Sequence, residues 1–195
     1  MFKMKQFTLP LDEHSQRPIV YLGKSTNIFA MLDTGALFPI WVEKEEILSI
    51  FGATLASRNV EFGGFGGKAK GNIYRLPNLI VGDLVFSNMS IIACELDLPC
   101  QMILSATMFK HLIYEIDDYN HAFNVTIPDK ESNVRNLKIE DKDGKLHILC
   151  TSFNENQSCT NDSATTDESN RDSKSQKKIV ISKSNQICDV KNSER

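Results

Sequence analysis

The sequence contains no C-x-x-C pair, and its five cysteines, Cys94, Cys100, Cys150, Cys159 and Cys188, are odd in number. That argues against both a zinc site and a disulfide framework, and makes a reducing cytoplasm the expected location. No block of basic residues exists, and net charge is −3 over 195 residues. Nucleic-acid backbones are held by dense positive charge, so no nucleic-acid partner is expected. Apolar runs are short. None approaches the ~18 residues of a membrane-spanning helix, so no membrane partner is expected either. The opening MFKMKQFTLPLDEH alternates and carries charges, unlike a secretory signal. No phosphate-cradling Lys-Ser/Thr follows the glycine-rich stretch, and no cofactor or metal is expected.

What is present is a succession of short apolar segments over the first 128 residues. FKMKQFTL alternates as a strand, with Phe7 and Leu9 on one face. PIVYLG at 18–23 and IFAMLD at 28–33 flank a polar turn, a hairpin pattern. FPIWV at 38–42 is a further strand, and EKEEILSIFG at 43–52 a short helix ended by Gly52. From Val60 the pattern is strand, glycine turn, strand, followed by a hairpin turning at Gly82-Asp83. MIL at 102–104 is a brief buried strand, with a helix of two turns expected after it, and YEIDDYNHAFNVTIP is a last hairpin. Many short strands with one or two short helices predict a mainly β fold, a small barrel or sandwich.

The remainder has a different composition. Residues 129–150 hold one possible extra hairpin, LKIEDKDGKLHIL, turning at Asp143-Gly144. Residues 151–195 form a low-complexity tail. Over 154–178 it is Asn, Ser, Thr, Asp and Lys with almost nothing apolar, which cannot offset chain entropy and predicts disorder. Ile179-Val180-Ile181 reads either as an added strand or as a sticky spot in the tail.

The chemistry concentrates in MLDTGA at 31–36 and FGGFGG at 62–67. Hydrolysing an amide without a metal or a nucleophilic side chain needs a water held between two carboxyl groups. One must be ionised to take the water's proton, and the other protonated to polarise the carbonyl. Carboxyl groups about 3 Å apart share a proton because both cannot ionise cheaply, and they titrate as a unit. IFAML delivers Asp33 at a strand end, Thr34 offers a hydroxyl beside it, and Gly35 permits close backbone approach. Taken alone, Asp33 reads equally well as an ordinary strand-to-turn aspartate.

MLDTGA, FGGFGG and MILSATMF together resemble the three landmarks of retropepsin-like aspartic proteases, in that family's order and at roughly its spacing. These are single-domain, homodimeric relatives of pepsin, and the resemblance covers about residues 5–128. It implies a closed acid-protease-like β-barrel with one or two short helices, acting as an aspartic endopeptidase on peptide or protein substrates. It implies Asp33 as the catalytic aspartate, with Thr34 and Gly35 completing the catalytic turn. Phe62, Gly63, Gly64, Phe65, Gly66 and Gly67 become the tip of a flap hairpin that opens and closes over substrate. Met102 to Leu104 run beside the catalytic loop. By position, Ala36, Leu37, Phe65, Ile103 and Leu104 are the candidate substrate-pocket residues.

No second Asp-Thr-Gly or Asp-Ser-Gly occurs, so a two-lobed monomer is excluded. The second carboxylate is expected from a second copy, making the enzyme a symmetric homodimer. Leu37 and Ala106 replace an acidic residue and an arginine that pair in the retroviral members, which points to cellular or bacterial ones. Ser105 stands where the family usually has glycine. The alternative reading is a catalytically inactive dimerisation or peptide-binding module on the same barrel, and a third is a monomeric barrel in which Asp33 is a turn residue. His111 and His121 lack a Ser or Cys nucleophile elbow and read as surface or helix-end residues. Cys94 and Cys100 read as structural thiols, and Glu43, Glu45 and Glu46 as the acidic first turn of a helix.

Overall fold

The computed structural model describes residues 4–22, 28–64, 67–95, 97 and 99–153. The turn at 23–27, Phe65 and Gly66, and the tail from 154 with Cys159, Cys188 and 179–181 lie outside the described residues.

In chain order the elements are β1 (Lys5–Pro10), β2 (Ile19–Leu22), β3 (Ile28–Asp33), β4 (Ile40–Val42), α1 (Glu45–Ile50), β5 (Thr54–Gly64) and β6 (Gly67–Val81). There follow β7 (Leu84–Cys94), β8 (Met102–Ser105), a 3-10 turn at Ala106–Phe109, β9 (Ile113–Asp117), β10 (Ala122–Ile127), β11 (Val134–Lys142) and β12 (Lys145–Ser152). The fold is mainly β. Its strands fall into a three-stranded sheet, β1-β10-β9, and a nine-stranded one running β12-β11-β7-β4-β8-β3-β2, with β5 on β6 and β6 on β7. A single bridge, Leu11↔Val20, links the two sheets, so the described pairing is two sheets rather than one continuous ring of strands.

Alternation explains the strands that face the core on one side only. In β10 the sequence AFNVTI buries Phe123, Val125 and Ile127 and leaves the residues between them half-exposed. β7 is flanked on both edges, by β6 on one side and by β11 and β4 on the other, and SIIAC is buried at every position. Trp41, Phe86, Phe123, Leu76, Met89 and Leu104 are among the largest fully buried side chains. Each such side chain contributes about 1.5–3 kcal/mol by leaving water.

Two helical expectations are corrected. α1 starts at Glu45 with Lys44 as its N-cap, so Glu43 is outside the helix. The two-turn helix expected after β8 is only the 3-10 turn: Lys110 adopts φ −54°, ψ 133° and His111 φ 66°, both non-helical. Ser105 makes no capping bond there, and one uncapped turn with buried Met108 and Phe109 is too short to sustain a helix.

β11 and β12 form a hairpin turning at Asp143 (φ 55°) and Gly144 (φ 74°), the two left-handed positions of a type I′ turn. β11 runs parallel to β7 through Val134↔Val85 and Arg135↔Phe86, and Leu137 and Ile139 join the main core. The hairpin therefore shares the core of the first 128 residues.

Candidate active site

β8 places the candidate carboxylate. It lies between β3, to which it is parallel, and β4, to which it is antiparallel. The loop 34–39 therefore rounds the end of β8, and Asp33 at the tip of β3 is register partner to Ser105 at the tip of β8. This long-range insertion pins a six-residue loop that would otherwise be free.

Within the loop, Asp33 Oδ1 accepts the Gly35 N–H at 2.8 Å, and the Asp33 carbonyl accepts the Ala36 N–H at 3.2 Å. A Cβ at position 35 would stand 3.3 Å from Oδ1, so glycine lets the amide close on the carboxylate. Asp33 is half-buried and Thr34 exposed. Both open on a small cleft whose other walls include Leu104, Phe109, Tyr114 and Phe123. The three rings stack at 5.2–6.0 Å in tilted and edge-on pairs, giving an apolar floor. Among the described residues Asp33 is the only carboxylate lining this cleft.

The candidate pocket residues separate. Leu104 lines the cleft beside Asp33, whereas Ile103 packs with Ile19, Met31 and Cys100 in a second, smaller cluster with Ala36 against it. Consecutive strand residues face opposite ways, so the two leucine-like positions cannot serve one pocket. Leu37 is exposed.

The glycine-rich hairpin is a ribbon that outruns its sheet. β6 leaves β7 at Asn72↔Ala93, and Val60–Gly64 pair with Gly67–Gly71 beyond that point. Phe62 is buried and meets Phe38 edge-on at 6.2 Å, while Gly63 and Gly67 are exposed and Gly64 pairs with Gly67. Between Phe38, Phe62, Gly63 and the start of β12 at Lys145 and Leu146 is a cavity of about 150 Å³, with Lys68 also in its wall.

The ribbon root carries a polar cluster that sequence reasoning missed. Glu43 Oε1 accepts from Asn72 Nδ2 at 2.5 Å and from Tyr74 OH at 2.9 Å, and Asn72 Oδ1 accepts the N–H of Asn59 at 3.0 Å. Asn59 is left-handed (φ 55°) beside a register irregularity in β5. Burial, then the bond to Glu43, pushes the Tyr74 phenol up. Glu43 and Asn72 are 29 residues apart, so no local signal joins them.

Among the described residues Cys94, Cys100 and Cys150 are free thiols. Burial pushes the Cys94 thiol up to about 11, with the Glu43 carboxylate adding to it, and burial raises Cys100 and Cys150 as well. His111 and His121 occupy left-handed turn positions. No group of three or more His, Cys, Asp or Glu able to hold a metal occurs among the described residues, and no helix there is long and apolar enough to cross a membrane.

No family model matches the chain, and no curated protein matches it. Among solved structures, a retropepsin-like aspartic protease from Rickettsia conorii is similar at 16% identity and a TM-score of 0.44, covering 65% of this chain and 93% of that one. A likeness this distant decides nothing about chemistry, which has to come from the residues themselves.

Proposed function

We propose that the chain is one half of an aspartic endopeptidase, working as a homodimer in which Asp33 of each copy activates the water that hydrolyses a peptide bond. The observation that carries this reading is the Asp33 turn. A backbone amide holds one carboxylate oxygen, and among the described residues no group hydrogen-bonds the second and no other carboxylate lines the cleft. Water activation between two carboxyl groups then requires Asp33 of a second copy, with the two groups sharing one proton. The β5–β6 ribbon serves as the flap: it projects beyond its supporting sheet and ends in glycines that let peptide backbone approach. Substrate lies between flap and catalytic turn, with one side chain in the Phe38–Phe62–Leu146 cavity. Free buried thiols suit a reducing cytoplasm.

The test is a mass-spectrometric peptide-library digest at mildly acidic pH across a range of protein concentrations. Cleavage is expected to rise more steeply than linearly with concentration, and Asp33→Asn is expected to abolish it. Undiminished cleavage by the Asn variant would sink the assignment. Ser105, fully buried where the resembled family has glycine, favours a second reading, a silent peptide-binding dimer; intact dimers that bind but never cut peptides would establish it.

A further inference from the structure

Ser105 is fully buried, and its hydroxyl has no hydrogen-bond partner. Buried polar groups are paired in the great majority of cases, so an exception asks for a reason. Ser105 also stands at the N-cap of the 3-10 turn, where serine ordinarily accepts a backbone N–H from two or three residues on. Here it makes no such bond. Its backbone, φ −86° and ψ 154°, is ordinary extended chain, so a side chain at this position introduces no backbone strain.

The neighbour is Asp33. The two are register partners on adjacent parallel strands, which lie about 4.8 Å apart, and register partners present their side chains on the same face. Asp33 Oδ1 is taken by the Gly35 amide, and among the described residues Oδ2 has no hydrogen bond. Register pairing thus sets an orphan donor and an unfilled acceptor on the same face of neighbouring strands.

We infer that Ser105 is a positioning residue for the Asp33 carboxylate, its hydroxyl turning about χ1 to donate to the free oxygen. The role rests on the reading of Asp33 as the water-activating group. A donor to a carboxylate favours the ionised form and lowers its pKa. The serine then helps decide which protonation of the shared pair is reached at a given pH. Among the described residues the only other titratable side chain lining the cleft is Tyr114 of β9; in the proposed homodimer the second copy would add its own Asp33 and Tyr114.

The experiment follows the Asp33 carboxyl carbon by NMR titration in the full-length protein, alongside the pH–rate profile for peptide cleavage. In Ser105→Ala and Ser105→Gly the Asp33 titration is expected to move up, and the acid limb of the rate profile with it. Ser105→Thr, which keeps the hydroxyl, is expected to titrate as the natural chain does. An identical titration with and without the hydroxyl overturns the inference, as does a shift common to all three variants. A shifted titration in a protein that cleaves nothing leaves the Ser105–Asp33 pairing standing and removes the protease reading. A glycine variant more active than the natural chain, with an unshifted titration, makes Ser105 an obstruction and removes the pairing alone.

Discussion

Glu43 and Asn72 are joined by a 2.5 Å hydrogen bond that ties the end of β4 to the root of the β5–β6 ribbon. Asn72 passes the constraint on by accepting the Asn59 amide across the ribbon, and Tyr74 adds a second donor to the same Glu43 oxygen. Beside it Gly71 lies so close to β7 that an added Cβ would stand 2.7 Å from the Ala93 carbonyl. The ribbon is therefore anchored at its root. Glu43→Ala removes an acceptor shared by two side chains, at about 1–3 kcal/mol. Amides of 60–64 and 67–71 are expected to exchange faster while those of β7 hold, and KM for peptide to rise more than kcat falls. Unchanged exchange in the ribbon would mean that it is held elsewhere.

The cavity between ribbon and C-terminal hairpin predicts a substrate preference. Phe38 and Phe62 form its apolar side, and Leu146, half-buried on β12, closes it. Leu146→Trp fills the space from a residue that does not line the Asp33 cleft. Peptides with a large side chain in this pocket are expected to lose about tenfold or more in kcat/KM relative to those with a small one. A library profile identical to that of the natural chain would place the substrate side chain elsewhere.

The local devices of this fold were legible, and its long-range ones were not. Alternation in AFNVTI and the Asp143-Gly144 turn describe β10 and the β11–β12 hairpin from residues adjacent in sequence. MLDTGA likewise carries the tip of β3 and the Gly35 amide in its own six letters. The insertion of β8 between β3 and β4 depends on residues some seventy positions apart, as does the pairing of Ser105 with Asp33. Glu43 was misplaced for the same reason. Beside two more glutamates it reads as a helix start, and only the folded chain brings Asn72 to it. Arg135 left no trace because a lone arginine in a polar stretch reads as surface.

Alkaline pH tests the buried thiols. Cys94 has its pKa raised from the usual 9.0 to about 11, and Cys100, Cys150 and Tyr74 shift in the same direction. In each the folded state holds its proton longer than the unfolded state does. The associated stability is full below pH 9 and is lost progressively as pH rises toward 11. Unfolding midpoints are expected to fall between pH 8.5 and 10.5, less steeply in Cys94→Ala measured against its own value at pH 8. Native protein at pH 8 is expected to resist alkylation at Cys94 until denatured. Rapid labelling of that thiol in the folded chain would contradict its burial.

Arg135 makes the strongest prediction about the C-terminal hairpin. Its side chain is 1% exposed, donates to the Lys110 carbonyl just past the 3-10 turn and lies 3.7 Å from Cys150 Sγ. Glu131 approaches Nη1 at 3.8 Å, within reach of an ion pair but beyond a hydrogen bond, and Nε and Nη1 have no hydrogen-bond partner. The guanidinium thus ties β11 to the segment that carries Phe109 under the Asp33 cleft. Removing only the balancing charge is the damaging change: Glu131→Gln leaves a buried cation uncompensated, at roughly 3–5 kcal/mol. Arg135→Met removes the cation together with its two unpaired nitrogens and keeps most of the volume; it leaves the Lys110 carbonyl short of a partner and Glu131 without its counter-charge, but that carboxylate is 13% exposed and reaches water, so the cost is about 1–3 kcal/mol. Urea unfolding is therefore expected to rank the natural chain first, Arg135→Met second and Glu131→Gln last, with the double variant close to Arg135→Met. If Glu131→Gln proves the milder change, the guanidinium is held by the Lys110 carbonyl and its packing, and the ion pair contributes little.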